Sequence, residues 1–242
     1  MKYLIANFKQ NGDKQFYKNY AQHLKAHFVP KQKCRAIFCV PATYLQFVKD
    51  NLKGLGVLTG SQTVSQHPGG AFTGCISASM IADCGASYTI VNHSEHHFAN
   101  SKKIADKIKC CKAAGVSVIY CIGKNNKQDA FANDDGWISA AIDALPADIC
   151  AFDVIIAYEP TFAIGTGKQP TSKQIDSVVR KIKQAVKQKL GLDLPVVYGG
   201  SVTPENCKQI AECDIIDGFM VGGACLDPEN LVEIYNHLAS AD

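Results

Sequence analysis

The chain has 242 residues, 47% of them hydrophobic, and 25 Lys and Arg against 22 Asp and Glu give a formal net charge of +3. That is enough apolar material for one substantial core, and a scattered, nearly balanced charge argues against a nucleic-acid-binding protein. The N-terminus "MKYLIANFKQNG" offers only a short apolar run before Asn7, and nowhere is there the ~18-residue apolar stretch of a membrane span, so a soluble, cytoplasmic protein is expected.

In chain order the pattern predicts a strand at 3–7, a helix at 13–27, a strand at 36–40, a helix at 43–51, a strand at 56–60 and a helix at 77–84. It continues with a strand at 87–92, a helix at 101–114, a strand at 116–121, a helix at 136–145 and a strand at 154–159. A helix at 171–190, a strand at 194–199, a helix at 203–212, a strand at 216–222 and a helix at 227–239 complete the series. Asp13, Ser101, Thr171, Thr203 before Pro204 and Asp227 before Pro228 are the expected helix starts. The stretch 122–136 separates into neither helix nor loop by pattern. Near-continuously apolar strands alternating with helices imply a parallel sheet covered by helices. Eight such units in a chain of this length, with no linker or insertion, imply a closed (β/α)8 barrel forming one α/β domain over 1–242.

The 11 cysteines form no C-x-x-C pair, and several lie in apolar runs such as "AIFCV", so they read as reduced, mostly buried small hydrophobes. "RKIKQAVKQKL" spaces Ile182, Val186 and Leu190 along one helix face, which makes its lysines a solvated surface rather than a nucleic-acid patch.

In such barrels the chemistry sits where the strands end. There the sequence places Asn7 and Lys9 after strand one, His93 and Glu95 after strand four, and Glu159 after strand six. Strands seven and eight run into the Gly-rich turns "YGGSV" and "VGGA", ahead of helices opening near Pro204 and Pro228, where backbone N–H groups and a helix dipole suit a phosphate. Glu159 is followed by a proline and a small-residue segment with Gly165 and Gly167, the composition of a closing loop. One lysine, one histidine, one carboxylate and a phosphate pocket match proton abstraction beside a carbonyl on a small phosphorylated substrate.

"ANFKQNG", "IVNHSEHH", "AYEPTFAIGTGK", "YGGSV" and "DGFMVGGACL", in this order across nearly the whole chain, resemble the triosephosphate isomerase family. For that family a carboxylate base, a neutral histidine and a closing loop are the general assignment. The resemblance implies interconversion of dihydroxyacetone phosphate and glyceraldehyde 3-phosphate without cofactor or metal. It makes Glu159 the proton shuttle, His93 the neutral electrophile and Lys9 the cation at the oxyanion. Asn7 supports both, and Glu95 orients the cluster around Lys9. Gly165, Ser201, Gly222 and Gly223 hold the phosphate, 160–170 is the lid, and Thr73 of one subunit of a homodimer approaches the other's site. Two other readings compete: a different phosphate-binding barrel enzyme, such as a sugar-phosphate epimerase, and a barrel retained for binding with its isomerase activity weakened.

Several positions depart from that family's pattern. His96 and His97 stand where arginines are usual and Cys75 where an acid is, so both halves of an expected cross-dimer ion pair are lost together. "HSEHH" is neither H-E-x-x-H nor H-x-x-E-H and does not read as a metal site. Phe162 and Lys124 replace a tryptophan and a glutamate that can hydrogen-bond. Pro170 stands where a backbone N–H would reach the hydroxyl of Tyr198. Asn92, Phe8 and Gln10 replace glycine, tryptophan and methionine, with no effect legible from sequence.

Overall fold

The computed structural model describes residues 1–96, 100–123, 136–160 and 170–240. Eight parallel strands, β1 (Lys2–Asn7), β2 (Cys34–Val40), β3 (Val57–Ser61), β4 (Tyr88–Val91), β5 (Ser117–Ile122), β6 (Val154–Tyr158), β7 (Val196–Tyr198) and β8 (Gly218–Val221), close on themselves in chain order. Around them run α1 (Lys14–His27), α2 (Leu45–Asn51), α3 (Ala78–Asp83), α4 (Ser101–Ala113), α5 (Gly136–Asp143), α6 (Ser172–Leu190), α7 (Pro204–Ala211) and α8 (Pro228–Ser240). The expected α/β (β/α)8 barrel is the fold observed.

Local chemistry explains most boundaries. Asp13 caps α1 by accepting the Phe16 N–H at 2.7 Å. Thr171 and Gln174 form a reciprocal capping box at the start of α6, which ends on Gly191 in the left-handed conformation. Ser101 is not a cap: Asn100 fills that position, accepting the Lys103 N–H at 2.9 Å, and α4 begins one residue later. The lysine-rich α6 buries Ile175, Val179, Ile182 and Val186, while Arg180, Lys183, Lys187 and Lys189 are each paired with an aspartate.

Strand alternation divides the core in two. Ile5, Ile37, Cys39, Tyr88, Ile90, Ile119, Cys121, Ile155, Ala157, Val197 and Met220 fill the barrel interior. The intervening residues, such as Leu4, Phe38, Ile156 and Val196, face the helices. Phe8, fully buried, centres an aromatic cluster with Phe16, Tyr17, Tyr20 and Phe38 at ring separations of 5.3–6.3 Å. This packing occupies the tryptophan position with phenylalanine. All 11 cysteines are free, seven of them buried, and no helix among the described residues is long and apolar enough to cross a membrane.

Candidate active site

Alternation also aims the polar residues. On β6 the inward sequence Ile155, Ala157 continues one step to Glu159; on β1, Tyr3 and Ile5 continue to Asn7 and Lys9. β7 and β8 bring Gly199 and Gly222 to the same rim after Val197 and Met220. His93 is the exception. Tyr88 and Ile90 point inward, so regular alternation would turn His93 outward. Asn92 breaks the phase with φ of 65°, a left-handed conformation that asparagine tolerates better than most residues. Its side-chain N–H₂ donates to the Cys121 carbonyl at 3.0 Å, tying the end of β4 to β5. The residue that replaces glycine here thus supplies both the turn and a clamp.

The groups converge on a cavity of about 450 Å³ lined by Asn7, Lys9, His93, Glu159, Gly199–Thr203, Met220 and Gly222–Ala224. Glu159 is only 1% exposed. Its Oε2 accepts the Ser94 N–H at 3.0 Å. Its Oε1 lies 3.0 Å from His93 Nε2 but is not aligned for a hydrogen bond, and is a buried acceptor without a partner among the described residues. Burial pushes the carboxyl up to about 7, against the opposing pull of the Ser94 hydrogen bonds and the Lys9 charge. Burial likewise pulls the His93 imidazole down to about 4, although the Glu95 carboxylate acts in the other direction. His93 is therefore neutral at pH 7. Its Nδ1 accepts the Glu95 N–H at 3.2 Å, which assigns the ring proton to Nε2, on the Glu159 side.

Lys9 Nζ meets Glu95 Oε1 at 2.6 Å. Burial raises the Glu95 carboxyl, but the hydrogen bond and charge of Lys9, with help from His93 and His96, hold it below the usual range. Lys9 has φ of 51°, and its backbone is held on both sides: its N–H donates to Asn7 Oδ1 at 3.1 Å, and its carbonyl accepts from Gln62 Nε2 at 2.8 Å. Gln62 also reaches the Cys39 carbonyl at 3.1 Å. This clamp was not foreseen, because a lone glutamine after β3 belongs to no motif. Asn7 supports Lys9; no bond between it and His93 is among those described.

Glycines make the room. A Cβ at Gly199 would come within 3.2 Å of the Glu159 side chain, one at Gly123 would overlap the Glu159 carbonyl, and one at Gly222 would press on Lys9 Cε at 3.1 Å. Gly223 is under no such demand, since a Cβ there meets no atom within 4 Å. The "VGGA" turn leads into α8, which opens at Pro228 as expected, through a short 3-10 turn, Gly223–Leu226. Gly165, Gly167, Phe162, Lys124, His97 and the lid interior lie outside the described residues. At the lid's far end Pro170 is buried, and the hydroxyl of Tyr198 is buried with no hydrogen-bond partner among the described residues.

Fold and site together define a (β/α)8 barrel with a buried carboxyl beside an imidazole and a lysine at its mouth. The sequence model of triosephosphate isomerase matches residues 2–238. Triosephosphate isomerase of Neurospora crassa is 38% identical over 239 residues, 95% of each chain, and that of Saccharomyces cerevisiae 34% over 238 residues, again 95% of each. The crystal structure of triosephosphate isomerase from Bartonella henselae superposes with a TM-score of 0.87 at 27% identity, covering 98% of both chains. The chain belongs to the triosephosphate isomerase family, and it is an enzyme with that family's isomerase activity.

Proposed function

We propose that the chain interconverts dihydroxyacetone phosphate and D-glyceraldehyde 3-phosphate, with Glu159 carrying a proton between adjacent carbons. The carboxylate takes the proton from the carbon beside the carbonyl, leaving an enediolate, and returns it to the neighbouring carbon, while the hydroxyl proton passes from one oxygen to the other. Neutral His93 donates through Nε2 to the oxygen on which charge develops, and Lys9 adds a fixed positive charge there. Asn7 and Glu95 position Lys9. Backbone groups at Gly165, Ser201, Gly222 and Gly223 receive the phosphate, and no cofactor or metal takes part. The observation that carries this reading is the pairing of a carboxyl raised to about 7 with an imidazole lowered to about 4, 3.0 Å apart: a poised base beside a neutral donor at physiological pH.

The whole chain, 1–242, is read as a single domain acting as a homodimer. Residues 71–75, with Phe72 and Thr73, are exposed on the loop between β3 and α3, and this loop is the surface by which Thr73 would reach a partner's site. Eleven free thiols fit a reducing compartment, the cytoplasm.

The test is a coupled isomerase assay with D-glyceraldehyde 3-phosphate over a dilution series, beside Glu159→Gln. Activity of the native chain that falls on dilution, with a Glu159→Gln variant reduced by at least about 10²-fold, is expected. A variant as active as the native chain would overturn the assignment of the base. Specific activity constant at every dilution would overturn a weakly associating dimer. No turnover at any concentration would instead favour the reading of a barrel kept for binding.

A further inference from the structure

Away from the barrel mouth, "NYAQHLKAHFV" places two histidines four residues apart on α1. The helix buries Tyr17, Tyr20, Ala21 and Leu24, so His23 and His27 lie on a row beside that face, His23 half-buried and His27 exposed. They span the last two turns, with Lys25 between them, at the end of the barrel opposite the catalytic groups, because α1 starts just after β1 and runs back antiparallel to it. Their ring centres are 4.4 Å apart with planes inclined at 37°. Neither ring has a hydrogen-bond or ion-pair partner among the described residues.

The spacing admits a chelate. An ion bonded to one nitrogen of each ring at about 2.0–2.1 Å sits roughly 3.2 Å from each ring centre. Ligands at about 90° then hold the centres roughly 4.5 Å apart, whereas a tetrahedral angle needs roughly 5.2 Å. The 4.4 Å between the ring centres is compatible with the right-angled arrangement. Square-planar and octahedral ions with a preference for imidazole, Cu(II) and Ni(II), have that geometry; hard ions such as Mg(II) and Ca(II) prefer oxygen. No group of three or more His, Cys, Asp or Glu converges among the described residues, so solvent would complete the shell. The negative end of the helix dipole favours a cation at this turn. We propose that His23 and His27 form a two-imidazole chelate for Cu(II) or Ni(II) that clamps the last turn of α1.

The experiment titrates untagged full-length protein with NiCl₂ in buffer free of chelators, by calorimetry, beside His23→Gln and His27→Gln. Glutamine keeps helix propensity, so both variants should remain folded. One Ni(II) per chain that is absent in both variants is expected, with paramagnetic broadening of the two imidazole resonances. A second readout is urea unfolding: free Ni(II) at 100 times its dissociation constant should raise the folded-to-unfolded ratio of the native chain about 100-fold and leave the variants unmoved. Absence of Ni(II) binding would overturn the proposal. So would the same stoichiometry in the variants, which would place the ion on the thiols or on other histidines.

Discussion

A carboxyl raised to about 7 in the folded chain makes a prediction about stability as well as rate. The perturbation is Glu159→Gln, which removes the titration but keeps an oxygen to accept the Ser94 N–H. In the unfolded chain Glu159 ionises near its ordinary value of 4.5, whereas in the folded chain it holds its proton to about 7. Between those values the folded state binds one more proton, so unfolding free energy falls as pH rises, by about 1.4 kcal/mol per pH unit. Above pH 7 the native chain therefore carries a penalty of about 3 kcal/mol that the glutamine variant lacks. His93, lowered to about 4, acts in another window: it destabilises the fold as pH drops below its ordinary value near 6.5, and it does so in both proteins. The assay is urea unfolding of both chains at pH 5 and pH 8, at one protein concentration because association contributes to stability. The variant should be the more stable at pH 8, by about 3 kcal/mol in order of magnitude, and by less than about 1 kcal/mol at pH 5. A difference independent of pH would refute the raised carboxyl and attribute the change to packing.

Three other outcomes follow from the same geometry. In the pH profile of kcat/KM, activity should rise as Glu159 ionises near pH 7, with no limb from His93 above pH 5; a histidine-like limb near 6.5 that disappears in His93→Gln would refute the neutral imidazole. Asn92→Ala should lose about 1–2 kcal/mol for a left-handed alanine plus about 0.5–1.5 kcal/mol for the bond to Cys121, whereas Asn92→Gly loses mainly the bond. Equal unfolding midpoints for the two variants would show that the φ of 65° is not the constraint. If Pro170→Ala supplies a backbone N–H to the Tyr198 hydroxyl, which has no hydrogen-bond partner among the described residues, one added hydrogen bond would raise kcat/KM by several-fold to about tenfold; an unchanged value would remove proline from the account.

The sequence carried the architecture because each strand and helix announces itself locally. The run at 154–159 and the observed β6, Val154–Tyr158, differ only in that Glu159 lies just past the strand, and Thr171 starts α6 where its capping chemistry says it should. The identities of Lys9, His93 and Glu159 were legible for the same reason: each ends an apolar run on a polar residue. What the sequence could not give is whatever depends on contacts between distant segments. The Ser94 N–H on Glu159 and the Gln62 clamp on Lys9 join residues 65 and 53 positions apart. The role of Asn92 depends on β5 lying beside it, with the Cys121 carbonyl as acceptor. For Gln10 the structure offers no account either.

Lys9 and Asn92 are the two non-glycine residues with positive φ among the described residues, and they flank the site from β1 and β4. Sparsely populated backbone conformations of this kind cost about 1–3 kcal/mol each and persist only where surrounding bonds over-determine them. Both are over-determined here in the same way, by an amide side chain donating to a carbonyl across the barrel rim: Gln62 to the Lys9 carbonyl, and Asn92 to the Cys121 carbonyl. The strain is useful because alternation alone would leave His93 facing the helices, while the left-handed turn brings its Nε2 to 3.0 Å from Glu159. The buried acid, the two strained residues and the glycines that give way to them are all unfavourable taken singly. The extensive inner and outer cores beneath the rim are what hold them in place, so stability in this fold is concentrated in the barrel and spent at its mouth.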